Sequence, residues 1–215
     1  MLADDFIEDW DLFLAPYQQA VEELKLKLKN IRKEYHALNR HAPIEFVTGR
    51  TKTKESILEK MHVRNIAPEA ILDGVQDIAG IRIMCQFVED IYEVANLLMN
   101  RKDFKVILIR DYIQHRKPSG YRSYHMVLEY PVQRASGEVS VIVEVQIRTL
   151  AMNFWATIEH SLNYKYSGEY PEVILKRLER ASEAAFLLDE EMSEIREEIR
   201  EAIQNEGSGT SLHAS

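Results

Sequence analysis

Two acids, two arginines and a run of lysines stand where they could assemble a polyphosphate site. Asp77 opens the run Gln76-Asp-Ile-Ala-Gly-Ile-Arg-Ile-Met-Cys-Gln-Phe87, and Glu144 lies inside Val139-Ser-Val-Ile-Val-Glu-Val-Gln-Ile-Arg148. Both runs read as strands. An acid carried into a sheet needs a cation, a metal or a proton beside it. Asp77 is therefore open to two readings, an ion pair with a nearby arginine or a ligand for a metal. Cations arrive from two directions. Lys52, Ser56, Lys60 and Arg64 recur every four residues and form one polar stripe along a helix. Such a stripe is either a solvated lysine face or, with the helix N-terminus, a polyphosphate cradle. Arg101, Lys102, Lys105, Arg110, Arg116, Lys117 and Arg122 crowd a second segment, which ends in Lys117-Pro-Ser-Gly-Tyr121-Arg-Ser-Tyr-His125. A tyrosine flanked by cations either stacks on a base beside its phosphates or packs within a hairpin. Hard oxygen ligands among phosphate-binding cations are the parts of magnesium-assisted phosphoryl transfer.

These side chains need strands and helices to position them. From Gly80 onward, alternation puts Ile81, Ile83, Cys85 and Phe87 on one face and Arg82, Met84 and Gln86 on the other. Carried backward, the same alternation would bury Asp77, so a break of register is expected at Gly80, through a bulge or a close approach. In the later run Val139, Val141, Val143, Val145 and Ile147 face one way, and Glu144, Gln146 and Arg148 share the other face. That strand should pair as a hairpin with Met126 to Tyr130, which follows His125, with Pro131 to Glu138 as the turn. Ile44 to Arg50 and Phe104 to Ile109 are further extended pieces. Helices are expected over residues 6 to 14, from Tyr17 to about Leu38, after a cap at Thr51 or Thr53, and over residues 89 to 100. The long one carries Lys25, Lys29, Arg32 and Lys33 on its outer side, a solvated face on first reading. Thr149 caps another helix reaching Tyr164, with Phe154, Trp155, Ile158 and Leu162 inward. Pro171 starts the last, whose Val173, Leu175, Leu178, Ala185, Leu188, Met192, Ile195 and Ile199 form a stripe that packs on the domain or on another subunit. Gly207 to Ser215 is small and polar and reads as a disordered tail.

Composition narrows the classes. At 215 residues, 46% hydrophobic and 29% charged, the expectation is one α/β domain with a helical appendage. The net charge of -8 argues against a surface wholly devoted to nucleic acid, but it is unevenly spread: nine acids lie between Glu183 and Glu206. Cys85 is the single cysteine, which excludes a disulfide framework or a cysteine zinc site and points to a reducing, cytoplasmic setting. No apolar stretch approaches the roughly 20 residues that span a bilayer, so no membrane partner is expected. The seven histidines are scattered without a His-Glu-x-x-His, and there is no Gly-x-Ser-x-Gly elbow and no P-loop.

Four motifs in order carry a resemblance: Gly49-Arg50-x-Lys52-x-x-x-Ser56-x-x-x-Lys60, Asp77-Ile-Ala-Gly80-Ile-Arg82, Lys117-Pro-x-Gly-Tyr121-Arg-Ser-x-His125, and Glu144-Val-Gln146-Ile-Arg148-Thr. Over about residues 44 to 165 the chain resembles the RelA/SpoT-type alarmone synthetases, and most closely the small stand-alone RelQ type. The resemblance implies an α+β fold with a mixed sheet of about five strands, nucleotidyltransferase-like and flanked by long N- and C-terminal helices. It divides the chain into N-terminal helices (1–43), a catalytic domain (44–165), a C-terminal helix (166–206) and the tail (207–215). It also implies transfer of the β,γ-pyrophosphate of ATP to the 3′-hydroxyl of GTP or GDP, giving (p)ppGpp and AMP with Mg²⁺. Matched residue by residue, Arg50 and Arg82 would sandwich the adenine, and Lys52, Ser56, Lys60 and Arg64 would hold the phosphates. Asp77 would bind the metal. Tyr121 would stack on the guanine, while Lys117, His125, Gln146 and Asn153 place the acceptor. Glu144 would be the base for the 3′-hydroxyl, sharing the metal. Such synthetases are typically homotetramers with an allosteric (p)ppGpp site, whose counterpart here would draw on Lys25, Lys29, Arg32, Glu45, Phe46 and Thr48. Ser119 departs from the Asn often found in longer relatives, and the lack of a His-Asp pair implies synthesis without hydrolysis. The competing reading, from another class, is a non-catalytic guanine-nucleotide or single-stranded RNA-binding module using the same basic and aromatic surface.

Overall fold

Alternation of Val141, Val143, Val145 and Ile147 makes their strand the centre of the sheet. The computed structural model describes residues 6–165 and 170–209. In chain order these form α1 (Trp10–Ala37), β1 (Phe46–Thr51), α2 (Lys54–Arg64), a 3₁₀ turn at Pro68–Ala70, α3 (Ile71–Gly74), β2 (Ala79–Cys85), α4 (Val88–Met99), β3 (Lys105–Asp111), β4 (Tyr124–Arg134), β5 (Gly137–Thr149), α5 (Leu150–Lys165) and α6 (Glu172–Gly209). The sheet order is β1-β2-β5-β4-β3, parallel between β2 and β5 and antiparallel elsewhere. This is the five-stranded mixed sheet and α+β class that the motifs implied.

One face of the sheet is apolar. Ile81, Ile83, Val143, Val145, Ile147, Met126 and Leu128 are all buried there, packed against the Val21, Leu24 and Leu28 stripe of α1 and the Ile91, Val94 and Leu98 stripe of α4. The chain makes one helix through Pro16 where two were expected. A proline withdraws a single backbone donor. The apolar row Leu14, Tyr17, Val21, Leu24 continues across it, and its burial holds the helix together.

Three further expectations change. The β4–β5 hairpin is longer than read, with Arg134 opposite Gly137 and Pro131 inside β4 rather than in the turn. The proline is tolerated because β3 pairs with β4 no further than Glu129, which leaves that edge without a ladder to break. The ladder is also regular through Gly80, which pairs with Arg50 on one side and Glu144 on the other. The backbone turns before the strand instead, at Gln76 and Asp77, so the acid never enters the ladder. Third, Phe154, Ile158 and Leu162 of α5 do not face inward: Phe154 is 69% exposed, and α5 buries Met152, Trp155 and Ala156. The expected stripe of α6 is likewise outward, with Leu175, Leu188, Met192, Ile195 and Ile199 exposed. That helix docks through Ser182, Phe186 and Asp189. The expected tail overlaps the last turn of α6 at residues 207–209, and its remainder, with the expectations on residues 1–5 and 166–169, lies outside the described residues.

Candidate active site

Strand pairing alone aligns the charged residues in two rungs. Arg50, Gly80 and Glu144 stand side by side across β1, β2 and β5, and Thr48, Arg82, Gln146 and His125 form the next rung across β1, β2, β5 and β4. Residues two apart on a strand share a face, so both rungs point away from the apolar core. They open into a cleft of about 260 Å³ lined by Thr48, Arg50, Asp77, Gly80, Arg82, Glu144 and Gln146. A Cβ on Gly80 would meet only the Arg50 carbonyl oxygen, at 3.8 Å. The missing side chain therefore serves no close backbone approach; it leaves the floor between Arg50 and Glu144 bare.

On the β1 side, Thr53 caps α2, its hydroxyl accepting from the Ser56 amide at 3.3 Å. The Lys52 amide donates to the Ile78 carbonyl at 2.8 Å and ties the helix start to the mouth of β2. This brings Lys60 Nζ to 2.5 Å from Asp77 Oδ1 and Lys52 Nζ to 3.4 Å from Oδ2. Asp77 is thus an ion pair here, and its partners are two of the lysines read as phosphate ligands. Arg50 and Arg82 make no side-chain hydrogen bond or ion pair with the described residues. Burial, then the charges of Arg148 and Arg50, lower the Arg82 pKa. Two guanidiniums facing one cleft and ion-paired to neither of its acids are suited to an anion or a flat ring. Ser56 interacts with Thr53, and Arg64 is exposed at the far end of α2, with nothing tying it to the cleft.

On the β4 side the groups are linked. Gln146 donates to Glu144 Oε2 at 2.7 Å, and His125 Nδ1 stands 3.6 Å from Oε1. Burial alone would raise the Glu144 carboxyl, but the His125 ring, the Gln146 amide and Lys60 outweigh it and hold the group at about 2. Tyr121 Oη lies 2.8 Å from His125 Nε2. Lys117 Nζ sits 4.9 Å from the centre of the Tyr121 ring and 4.7 Å from that of Tyr112, while Arg148 approaches Tyr121 at 5.1 Å. The expected open tyrosine face is therefore occupied by cations. Asn153 accepts from Arg148 at 3.4 Å. Two members of this cluster went unassigned in the sequence. Arg148 shares the Glu144 and Gln146 face, a signal that alternation did carry; Tyr112, packed 5.1 Å from the His125 ring, had none.

The segment carrying Lys117 and Tyr121 is braced by α6. Ser182 donates to the Gly120 carbonyl, Arg116 and Arg122 pair with Glu183 at 2.8 and 3.0 Å, and Arg122 lies over Phe186 at 4.0 Å. Gly120 has φ +87°, and a Cβ there would stand 2.7 Å from that of Ser182. The residues read as an allosteric set are divided. Lys29, Arg32 and Phe46 line a second pocket of about 280 Å³ with Lys33, His36, Ile44 and Val47. Glu45 pairs with Arg32 at 3.6 Å, Lys25 pairs with Glu22 at 2.9 Å, and Thr48 lines the first cleft instead.

Known proteins resemble the chain along most of its length. A family model described as a region found in RelA / SpoT proteins matches residues 49–169. The GTP pyrophosphokinase YjbM of Bacillus subtilis is 63% identical over 91% of this chain and 92% of that protein, and YwaC of the same organism is 40% identical over 90% and 93%. Among solved structures, the small alarmone synthetase 1 of B. subtilis bound to its product pppGpp superimposes with a TM-score of 0.84 at 64% identity, covering 88% of this chain and 97% of that one. The same enzyme bound to AMPCPP gives 0.78 at 59% identity, over 89% and 98%.

Proposed function

The chain belongs to the RelA/SpoT family as a small GTP pyrophosphokinase, a (p)ppGpp synthetase, and we propose that the two sides of its cleft divide that work between ATP and the guanine acceptor. The observation that carries this division is the sheet register, which sets unpaired arginines on one side of the cleft and the Glu144 network on the other.

On the donor side Arg50 and Arg82 flank the adenine, and Lys52, Ser56 and Lys60 hold the phosphates, with Arg64 at the exposed end of α2 reaching them only by swinging toward the cleft. Both lysines are paired with Asp77. Arriving phosphates compete with that carboxylate for them, and each Asp77 oxygen released is a free hard ligand. Asp77 and Glu144 line one cleft, and the described residues contain no group of three or more acids, histidines or cysteines placed to hold a metal ion. This donor set fits Mg²⁺, which takes one or two carboxylates and completes its shell with phosphates and water. When bound, Mg²⁺ neutralises the charge developing on the transferred phosphates.

On the acceptor side Tyr121, Lys117, His125, Gln146 and Asn153 hold the guanosine nucleotide, with Lys117 moving off the Tyr121 ring to admit the base. The ribose 3′-oxygen attacks the β-phosphorus, the bond from that phosphorus to the α-phosphate bridging oxygen breaks, and AMP leaves. The 3′-hydroxyl proton goes to Glu144. A carboxylate held at about 2 is a weak base, but in a loose transition state the proton leaves late, from an oxygen already acidified by its new bond to phosphorus. Incubating the protein with ATP, GTP and Mg²⁺ and resolving the nucleotides tests this directly. AMP and a 3′-pyrophosphorylated guanosine nucleotide are expected, and their absence would sink it. Glu144→Gln should lower turnover by about 10³-fold with both nucleotides still bound.

The second pocket, with Lys29, Arg32 and Phe46, supports an allosteric site for (p)ppGpp. The outward apolar stripes of α5 and α6 support assembly as a homotetramer. A single-chain mass in solution, or rates unmoved by added pppGpp, would count against these two readings. We place the reaction in the cytoplasm, where both substrates are found; no described helix is long and apolar enough to cross a membrane.

A further inference from the structure

Arg148 is buried, 5% exposed, and faces no carboxylate within ion-pair distance among the described residues. Its guanidinium spends its donors on four neutral acceptors: Ser123 Oγ at 3.2 Å, Asn153 Oδ1 at 3.4 Å, Gln146 Oε1 at 2.8 Å and Tyr121 Oη at 2.6 Å. A buried cation satisfied only by neutral groups is an expensive way to hold a fold. Three of those four acceptors belong to residues proposed above to bind the guanine nucleotide.

The polarity of each bond follows from donor chemistry. A guanidinium only donates, so it must receive an acceptor from each neighbour. Gln146 therefore presents its carbonyl oxygen to Arg148, which turns its amide nitrogen to Glu144 Oε2. Tyr121 has one hydroxyl proton. With its oxygen accepting from Arg148, the one acceptor left for that proton among the described residues is His125 Nε2, 2.8 Å away. In the neutral ring Nε2 is then the acceptor, and the hydrogen sits on Nδ1, which faces Glu144. The Nδ1 to Oε1 separation of 3.6 Å is too long for a hydrogen bond, so the contact that selects the tautomer is the one from Tyr121.

We propose that Arg148 is the positioning residue of the acceptor half-site: without touching Glu144, it sets the Gln146 amide and, through the Tyr121 hydroxyl, the His125 tautomer, so that both neighbours present N–H groups to the two Glu144 oxygens. It acts through Gln146, Tyr121 and Asn153, and its effect falls on the guanine nucleotide. The ATP side, built on Arg50, Arg82, Lys52 and Lys60, shares no hydrogen bond with it.

The inference rests on the synthetase reading for its kinetic consequence but not for its structural one, and the test separates the two. Ring ¹⁵N shifts of His125, recorded without nucleotide at a pH where the ring is neutral, should show the Nδ1–H tautomer in the wild type. In Arg148→Gln, checked for folding by circular dichroism, the two tautomers should mix. Steady-state kinetics of the same variant should show kcat/KM for GTP falling by about 10² with KM for ATP within twofold. An unchanged tautomer overturns the proposal, as does a KM for ATP that rises as much as the KM for GTP, the mark of a merely structural role. Where Arg148→Gln fails to fold, Tyr121→Phe removes only the relaying hydroxyl and should release the same tautomer; an Nδ1–H form surviving in that variant also overturns it. Wild type lacking synthetase activity but showing the tautomer lock would refute the function and leave the network standing.

Discussion

Gly80 separates what a residue does for the fold from what it does for the cleft. An alanine there meets only the Arg50 carbonyl oxygen at an ordinary 3.8 Å, on a regular strand backbone that an L residue adopts without strain. Gly80→Ala should therefore fold with an unchanged or slightly raised Tm, since replacing glycine at a compatible position stabilises by about 0.4–1 kcal/mol. The added methyl nevertheless stands on the cleft floor between Arg50 and Glu144, so KM for ATP should rise about tenfold or more. Thermal melts and ATP-dependence of the rate check both halves; an unaltered KM would show that the floor is not a binding surface. The register break expected at Gly80, through a bulge or a close approach, is absent because the chain keeps the acid out of the ladder by another remedy, a turn at Gln76 and Asp77. Period-two alternation did place Arg82, Glu144, Gln146 and Arg148 on the working face. It had no means of showing that Lys52 and Lys60 would close on Asp77, because that contact joins a helix to a strand mouth.

At the scale of elements, α6 shapes the acceptor loop and carries its own pH dependence. Thr149, at the end of β5, donates from its hydroxyl to Asp189 Oδ2 at 2.6 Å. Burial raises the Asp189 carboxyl to about 6, against the opposing pull of the Thr149 hydrogen bond and Arg122. Its ordinary value is 3.8, so the folded state holds the proton more tightly than the unfolded chain does. Its contribution is most favourable below pH 3.8 and is lost as pH rises to about 6, with an upper bound of about 3 kcal/mol. Asp189→Asn should thus raise stability at pH 7.5 by about 1–2 kcal/mol and leave it unchanged near pH 3.5. Urea titrations at the two pH values decide it, and a loss at neutral pH would mean that the charged form is the one the fold prefers. Helix positions were largely legible in the sequence from capping residues such as Thr53 and Thr149. The inward faces of α5 and α6 were not, because an apolar stripe shows that something covers it without saying what. Ser182 and Asp189, both polar, turned out to mark the docked side of α6.

For the whole molecule, the net charge of -8 conceals a separation of function: most acids of α6 lie outward, the buried Asp189 apart, while Arg50, Lys52, Lys60 and Arg82 converge on the cleft. The same separation appears in the distances along the chain that each half of the cleft must close. Tyr124 to Thr149 is one hairpin with a two-residue connection at 135–136, so His125 and Glu144 meet through purely local pairing. Gly80 and Glu144 are 64 positions apart, and β2 can join β5 only in parallel after the intervening chain has closed. Local hairpins form in microseconds, whereas distant parallel pairing is slow because loop entropy is lost before any contact forms. The acceptor half of the cleft should consequently assemble early, and the nucleotide donor half should be the last part made and the first to open. Pulse-labelled hydrogen exchange during refolding would then protect β4 and β5 before β1 and β2, and β1 amides protected first would reverse that order. A stressed or newly synthesised chain is in this way incapable of consuming ATP until its slowest contact is in place.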